Sequence, residues 1–135
     1  MNNITLCFLL RGTPPSEVLL GLKKRGFGTG KYAGFGGGVE AGETIEAATV
    51  RELEEETGVK VAVDDLRAAG RVTFLFSAKP HWNQVVYVFL AHTWEGLPVE
   101  SEEMKPDWYQ MEDIPFAQMW ADAAHWLPLV LRGKK

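Results

Sequence analysis

The chain has 135 residues, 46% of them hydrophobic and 24% charged, enough for one domain around a core and unlike a disordered or fibrous composition. The net charge of −4 disfavours a long nucleic acid or an anionic membrane as partner. The lone cysteine, Cys7, excludes an internal disulfide and reads as a core residue of an intracellular protein. The expectation is a single domain over residues 1–135, cytoplasmic, with a monomer favoured and a dimer not excluded.

Ile4–Arg11 is a mostly apolar run that reads as a buried strand. It is too short to span a bilayer and lacks the flanks of a secretion signal. Gly12–Ser16 carries two prolines and predicts a turn. Glu17–Lys23 predicts a second strand, paired with the first as a hairpin. The glycine-rich stretch from Gly26 to Gly38 predicts loop, with a short strand near Phe35. A helix is expected over Glu43–Thr57, with Thr44 as N-cap, Glu46 in the first turn and Gly58 at its end. Leu66–Ser77 and Gln84–His92 read as a long hairpin around a turn at Ala78–Asn83. Trp108–Met111 predicts a further strand. Helix is expected over Pro115–Trp120 and again over Ala121–Leu131, with Pro128 as a bend. Strands, one central helix, more strands and a final helix describe a mixed sheet packed between helices.

The central helix ends in Glu52, Glu54, Glu55 and Glu56. Carboxylates there face the negative end of the helix dipole, and Glu52 repels Glu56 one turn away. At about 100° per residue, Glu52, Glu55 and Glu56 share one sector of roughly 100°, while Glu54 points to the opposite side. Three carboxylates converging on one face, between flanking glycines, point to a bound divalent cation rather than a merely solvated helix face. Oxygen-only ligands suit Mg²⁺ or Mn²⁺ better than zinc.

Other patterns carry less. Gly26–Lys31 fails as a P-loop, because Arg25 stands where the first glycine belongs and Tyr32 follows the lysine. Gly28–Ala33 fits a loose dinucleotide fingerprint but opens no helix. His81, His92 and His125 have no metal-ligand spacing. Most of the five tryptophans read as packing residues. Trp120 differs, standing two residues before Asp122. An aromatic face there can stack on a base while the carboxyl group reads its polar edge.

Gly37, Glu43, Arg51, Glu52, Leu53, Glu55, Glu56, Gly58 and Val59 occupy every fixed position of the Nudix box, so the stretch from Gly37 to Val59 resembles that family. Val18–Gly28, Gly34–Gly37, Pro98–Ser101, Ile114–Phe116 and Met119–Trp120 are similar to the MutT type within it, whose members include hydrolases of oxidised purine nucleoside triphosphates. The resemblance implies an α+β fold, an α/β/α sandwich with a mixed central sheet. It implies Mg²⁺-dependent hydrolysis of a nucleoside triphosphate to the monophosphate and pyrophosphate, such as 8-oxo-dGTP, in sanitation of the nucleotide pool. A pyrimidine triphosphate, nucleotide sugar or dinucleotide as substrate, or a non-catalytic binding module, are the alternatives.

Residue by residue, the resemblance assigns metal binding to Glu52, Glu55, Glu56, Glu103 and the Gly36 carbonyl. The general base is Glu56 or Glu103. Arg51 and Glu43 brace the loop–helix–loop, and Lys23 lies near the phosphates or the nucleotide. Phe27, Phe74 and Trp120 line a base pocket whose edge reader is Asp122. Ala33 and Ala123 stand where such relatives carry polar base readers.

Overall fold

The apolar run near the N-terminus forms strand β1, Asn2–Arg11, which is covered on both faces. Phe8 and Leu10 face one core, and Cys7 and Leu9 face the other. A strand buried on both sides needs a near-continuous apolar sequence, and this one has it. The computed structural model describes residues 2–12, 15–26, 29–75, 77–120 and 122–131.

The other elements are β2 (Glu17–Lys23), β3 (Tyr32–Ala33), β4 (Phe35–Gly38), α1 (Ile45–Thr57), β5 (Leu66–Phe74), β6 (Gln84–Ala91), β7 (Met104–Gln110) and α2 (Ala123–Leu131). The sheet runs β3-β2-β1-β6-β5, with β4 also paired to β1 and β7 to β2. β1 lies parallel to β6 along one edge from Asn2–Gln84 to Leu9–Ala91. Its other edge is divided. Ile4 to Cys7 pair with β4, and Leu10 and Arg11 pair with β2. The sheet therefore forks at β1, and β4 begins inside the fork.

Helix α1 packs Leu53 against Cys7, Leu9, Leu19, Phe35 and Val59. The buried hydroxyls of Thr5 and Thr49 hydrogen-bond to each other, tying β1 to α1. Thr44 caps α1 by accepting the Ala47 amide at 3.0 Å, and Gly58 closes it with φ 76°, a conformation that costs glycine least. Helix α2 buries Ala123, Leu127 and Val130 on the opposite face. The mixed sheet between the two helices is the expected α+β sandwich.

Two expectations need correction. Pro115–Trp120 is not α-helix, because only Phe116–Gln118 forms a short 3₁₀ turn. The backbone turns extended at Met119, φ −115° and ψ 172°, so the turn ends before a helical ladder can propagate. The strand expected at Trp108–Met111 starts earlier, at Met104. Pro106 is tolerated there because β7 is an edge strand paired only to β2.

Candidate active site

The carboxylates of α1 separate as their helical angles require. Glu52, Glu55 and Glu56 line one cavity of about 540 Å³, together with Lys23, Arg25, Gly36, Gly37 and Glu103. Glu54 points elsewhere, toward Lys60 at 4.0 Å. Two glycines make this approach possible. A β-carbon on Gly36 would stand 1.7 Å from the Thr5 carbonyl oxygen, and one on Gly37 would stand 2.6 Å from the Glu52 carboxylate. Any side chain at either position would push β4 away from β1 or close the cavity.

Glu56 is 4% exposed, and its Oε1 accepts the Gly36 amide at 2.9 Å. Burial, reinforced by the charge of Glu52, pushes its carboxyl group up to about 8, while the Gly36 hydrogen bond and Lys23 oppose the rise. Burial also raises Glu52, against the pull of Arg51. Gly36 meets the acid through its amide, whereas the sequence assigned a role to its carbonyl.

Arg51 braces the walls. It donates to Glu43 at 2.8 and 3.1 Å, to Glu52 at 2.8 Å and to the Gly38 carbonyl at 3.1 Å, and reaches Glu55 at 3.4 Å. Its hydrogen bonds, that of Glu43 first, raise the guanidinium further, and the same contact holds Glu43 below its ordinary range. The loop before α1 is thus fastened to the helix by one planar fork.

Glu103 lies on the opposite wall, 4.0 Å from Lys23. Its segment is docked on the end of β2. Lys24 takes the Glu103 carbonyl through its amide at 2.8 Å. Its ammonium holds Glu100 and the Ser101 carbonyl, and Arg25 pairs with Glu102 at 3.2 Å.

Phe74, Trp120 and Asp122 meet at a second cavity of about 410 Å³. Phe27, assigned to the same pocket, lies outside the described residues. Ala33 and Ala123 both line this wall, so the departures from the family pattern fall on the pocket itself. The segment that borders this cavity at Ala33 and Gly34 borders the acidic one at Gly36 and Gly37. Gly34 and Gly37 are about 10 Å apart along extended chain. Lys31 Nζ lies 5.0 Å from the Trp120 ring centroid, close enough for a cation–π contact.

Two residues of this pocket escaped the sequence reading. Trp126 Nε1 donates to Asp122 Oδ2 at 2.7 Å. The four-residue spacing was visible, but a tryptophan in an apolar helix reads first as packing. Gln84 lines the wall at the start of β6, as the polar member of the alternating set Gln84, Val86, Val88 and Leu90.

The sequence model of the NUDIX domain family matches residues 3–130. The chain belongs to this family. It is 47% identical to the mouse protein named oxidized purine nucleoside triphosphate hydrolase, over all of this chain and 85% of that one. It is 50% identical to the zebrafish protein of the same name, over 90% of this chain and 76% of that one. Among solved structures, it resembles a MutT NUDIX hydrolase from Burkholderia pseudomallei, with a TM-score of 0.78 and 25% identity over 99% of this chain and 98% of that one.

Nudix hydrolases work with a divalent metal ion. The donor chemistry here fits one. The acidic cavity gathers oxygen ligands only, its deepest carboxylate is buried with one neutral hydrogen bond, and the glycines leave the approach open. Among the described residues, no three acids are yet drawn together as a closed ligand set. Glu52 and Glu55 spend oxygens on Arg51, and Glu103 leans toward Lys23. No helix of the described residues is long and apolar enough to cross a membrane.

Proposed function

We propose that the chain is a single-domain, Mg²⁺-dependent nucleoside triphosphate pyrophosphohydrolase, acting on an oxidised or otherwise modified purine nucleotide, with Mn²⁺ as the alternative ion. The observation that carries this reading is one short segment, Ala33 to Gly37, bordering two cavities of opposite character. One is acidic and walled by Glu52, Glu55, Glu56 and Glu103, and the other is apolar and walled by Phe74 and Trp120. A nucleotide has the same division, with a polyanion at one end and a flat apolar base at the other. The names of the mouse and zebrafish relatives support the same substrate class.

Glu52, Glu55, Glu56, Glu103 and the Gly36 carbonyl would hold the metal. When bound, it neutralises phosphate oxygens and makes a coordinated water more acidic. Lys23 and Arg25 attract and orient the triphosphate. Phe74 and Trp120 hold the base, and Asp122 accepts a hydrogen bond from its edge. Water attacks the β-phosphorus, the bond from that phosphorus to the α,β-bridging oxygen breaks, and the nucleoside monophosphate leaves. The water's proton passes to Glu56 or Glu103. The products are the monophosphate and pyrophosphate.

The two alanines on the pocket wall favour a second reading, in which the phosphate chemistry is kept and the base differs. Pyrophosphate release with Mg²⁺, measured over dGTP, 8-oxo-dGTP, 2-hydroxy-dATP, N6-methyl-dATP, pyrimidine triphosphates and nucleotide sugars, decides between them. A kcat/KM that singles out a modified purine supports the first reading. A preference for another class keeps the hydrolase and removes the sanitation role, and no turnover at all removes both.

A further inference from the structure

We propose that Gln84 sets base specificity, by pairing its carboxamide with a base edge that carries a hydrogen-bond donor beside an acceptor. This rests on the reading of the apolar cavity as a nucleobase site.

Alternate residues of a strand share a face. Val86, Val88 and Leu90 of β6 belong to the core beneath α2, so Gln84 puts a polar group on the same apolar face. In the sheet it stands opposite Phe74 of β5 and beside Asn2 of β1, at the margin of the cavity it lines. Its side chain makes no hydrogen bond among the described residues. Its amide atoms are not sealed from solvent, so a ligand that displaces water from them must replace those hydrogen bonds or lose affinity.

The other polar groups on this wall are committed or one-sided. The indole N–H of Trp126 is given to Asp122. Tyr32 packs edge-on against Tyr109, ring centroids 5.5 Å apart, and its hydroxyl carries donor and acceptor on one atom. Asp122, as a carboxylate, accepts only, and Ala33 and Ala123 bring no polar side-chain atoms. Among the described residues that line this cavity, Gln84 alone offers a side-chain amide N–H and a carbonyl in one plane. That pair matches a base edge in two parallel hydrogen bonds, either to a lactam with N–H beside C=O or to an amino group beside a ring nitrogen. A base that lacks one of the two groups leaves half of the carboxamide unpaired, which is how polar sites reject near-isosteres.

The test compares wild type with Gln84→Leu and the longer Gln84→Met, each checked by thermal unfolding, so that one folded variant suffices. Steady-state kinetics with Mg²⁺ are read on dGTP, 8-oxo-dGTP, dATP, 2-hydroxy-dATP, dCTP and dTTP. The kcat/KM ratio between the best and worst base should fall about tenfold, chiefly through a higher KM for the best. An unchanged ratio in a folded variant overturns the proposal. Calorimetric binding of the matching nucleoside monophosphates, without metal, keeps this test independent of turnover. If wild type hydrolyses no triphosphate, the hydrolase reading fails by itself. Loss of about tenfold base discrimination in binding still supports the role of Gln84, and a wild-type binding profile that is flat across the bases overturns it.

Discussion

Glu56 Oε1 accepts the Gly36 amide at 2.9 Å, so the most deeply placed acid of α1 is tied to the strand that walls its cavity. That single neutral hydrogen bond is the direct partner of a carboxyl group pushed up to about 8 by burial and Glu52. The contact aims the acid, and the opposing pull of Lys23 is too small to offset burial and the charge of Glu52.

Replacing Glu56 by Gln should lower kcat by about 10²- to 10⁴-fold, as loss of a general base or metal ligand does, with the fold intact. The variant also separates charge from shape. Because the folded-state value lies above the ordinary 4.5, the stabilising effect of the protonated acid is complete below about pH 4.5. It is lost as pH rises through about 8. Metal-free wild type should therefore lose stability relative to Glu56→Gln across that window. Near-normal turnover at saturating Mg²⁺, or parallel stability curves, would sink the assignment.

Added Mg²⁺ should raise the unfolding temperature, and by more at about pH 9 than at about pH 6, because the metal binds the deprotonated carboxylate. A chelator should remove both this gain and the activity. A thermal shift that ignores pH would move the binding site away from Glu56.

Trp126→Phe removes the indole N–H that Asp122 accepts at 2.7 Å and keeps an aromatic ring against Phe8. We expect KM for the preferred purine to rise by roughly tenfold, the effect of one hydrogen bond to a charged group, with kcat little changed. An equal loss on every base would make Trp126 a packing residue only.

Lys24→Met should loosen the segment that carries Glu103, since Lys24 holds both Glu100 and the Ser101 carbonyl. These groups are partly exposed, so the effect on stability should be small. The kcat should fall a few-fold, and the wild-type rate should be more salt-sensitive than that of the variant. Identical salt profiles in the two proteins would show that this ion pair does not position Glu103.

The acidic half of the site was legible because it is local. Glu52, Glu55 and Glu56 share a face through helical geometry alone, and Thr44 and Gly58 mark the helix that carries them. Glu43 and Arg51 lie eight residues apart, so one loop-to-helix turn brings them together. The expected helix over Pro115–Trp120 was misread, because apolar composition alone does not propagate a helix and the chain turns extended at Met119.

Local periodicity thus determined most of the strands and the acidic helix surface, which depend on spacing within about one or two turns of backbone, while the fixed residues of the Nudix box carried the family resemblance. Tertiary structure decided the rest. Parallel pairing of β1 with β6 brings Ile4 beside Val86, and α2 returns Asp122 and Trp126 to the wall that Phe74 and Gln84 share. Docking on Lys24 carries Glu103 toward the acids of α1. These contacts join residues far apart in sequence, and only chain reversal in three dimensions makes them neighbours.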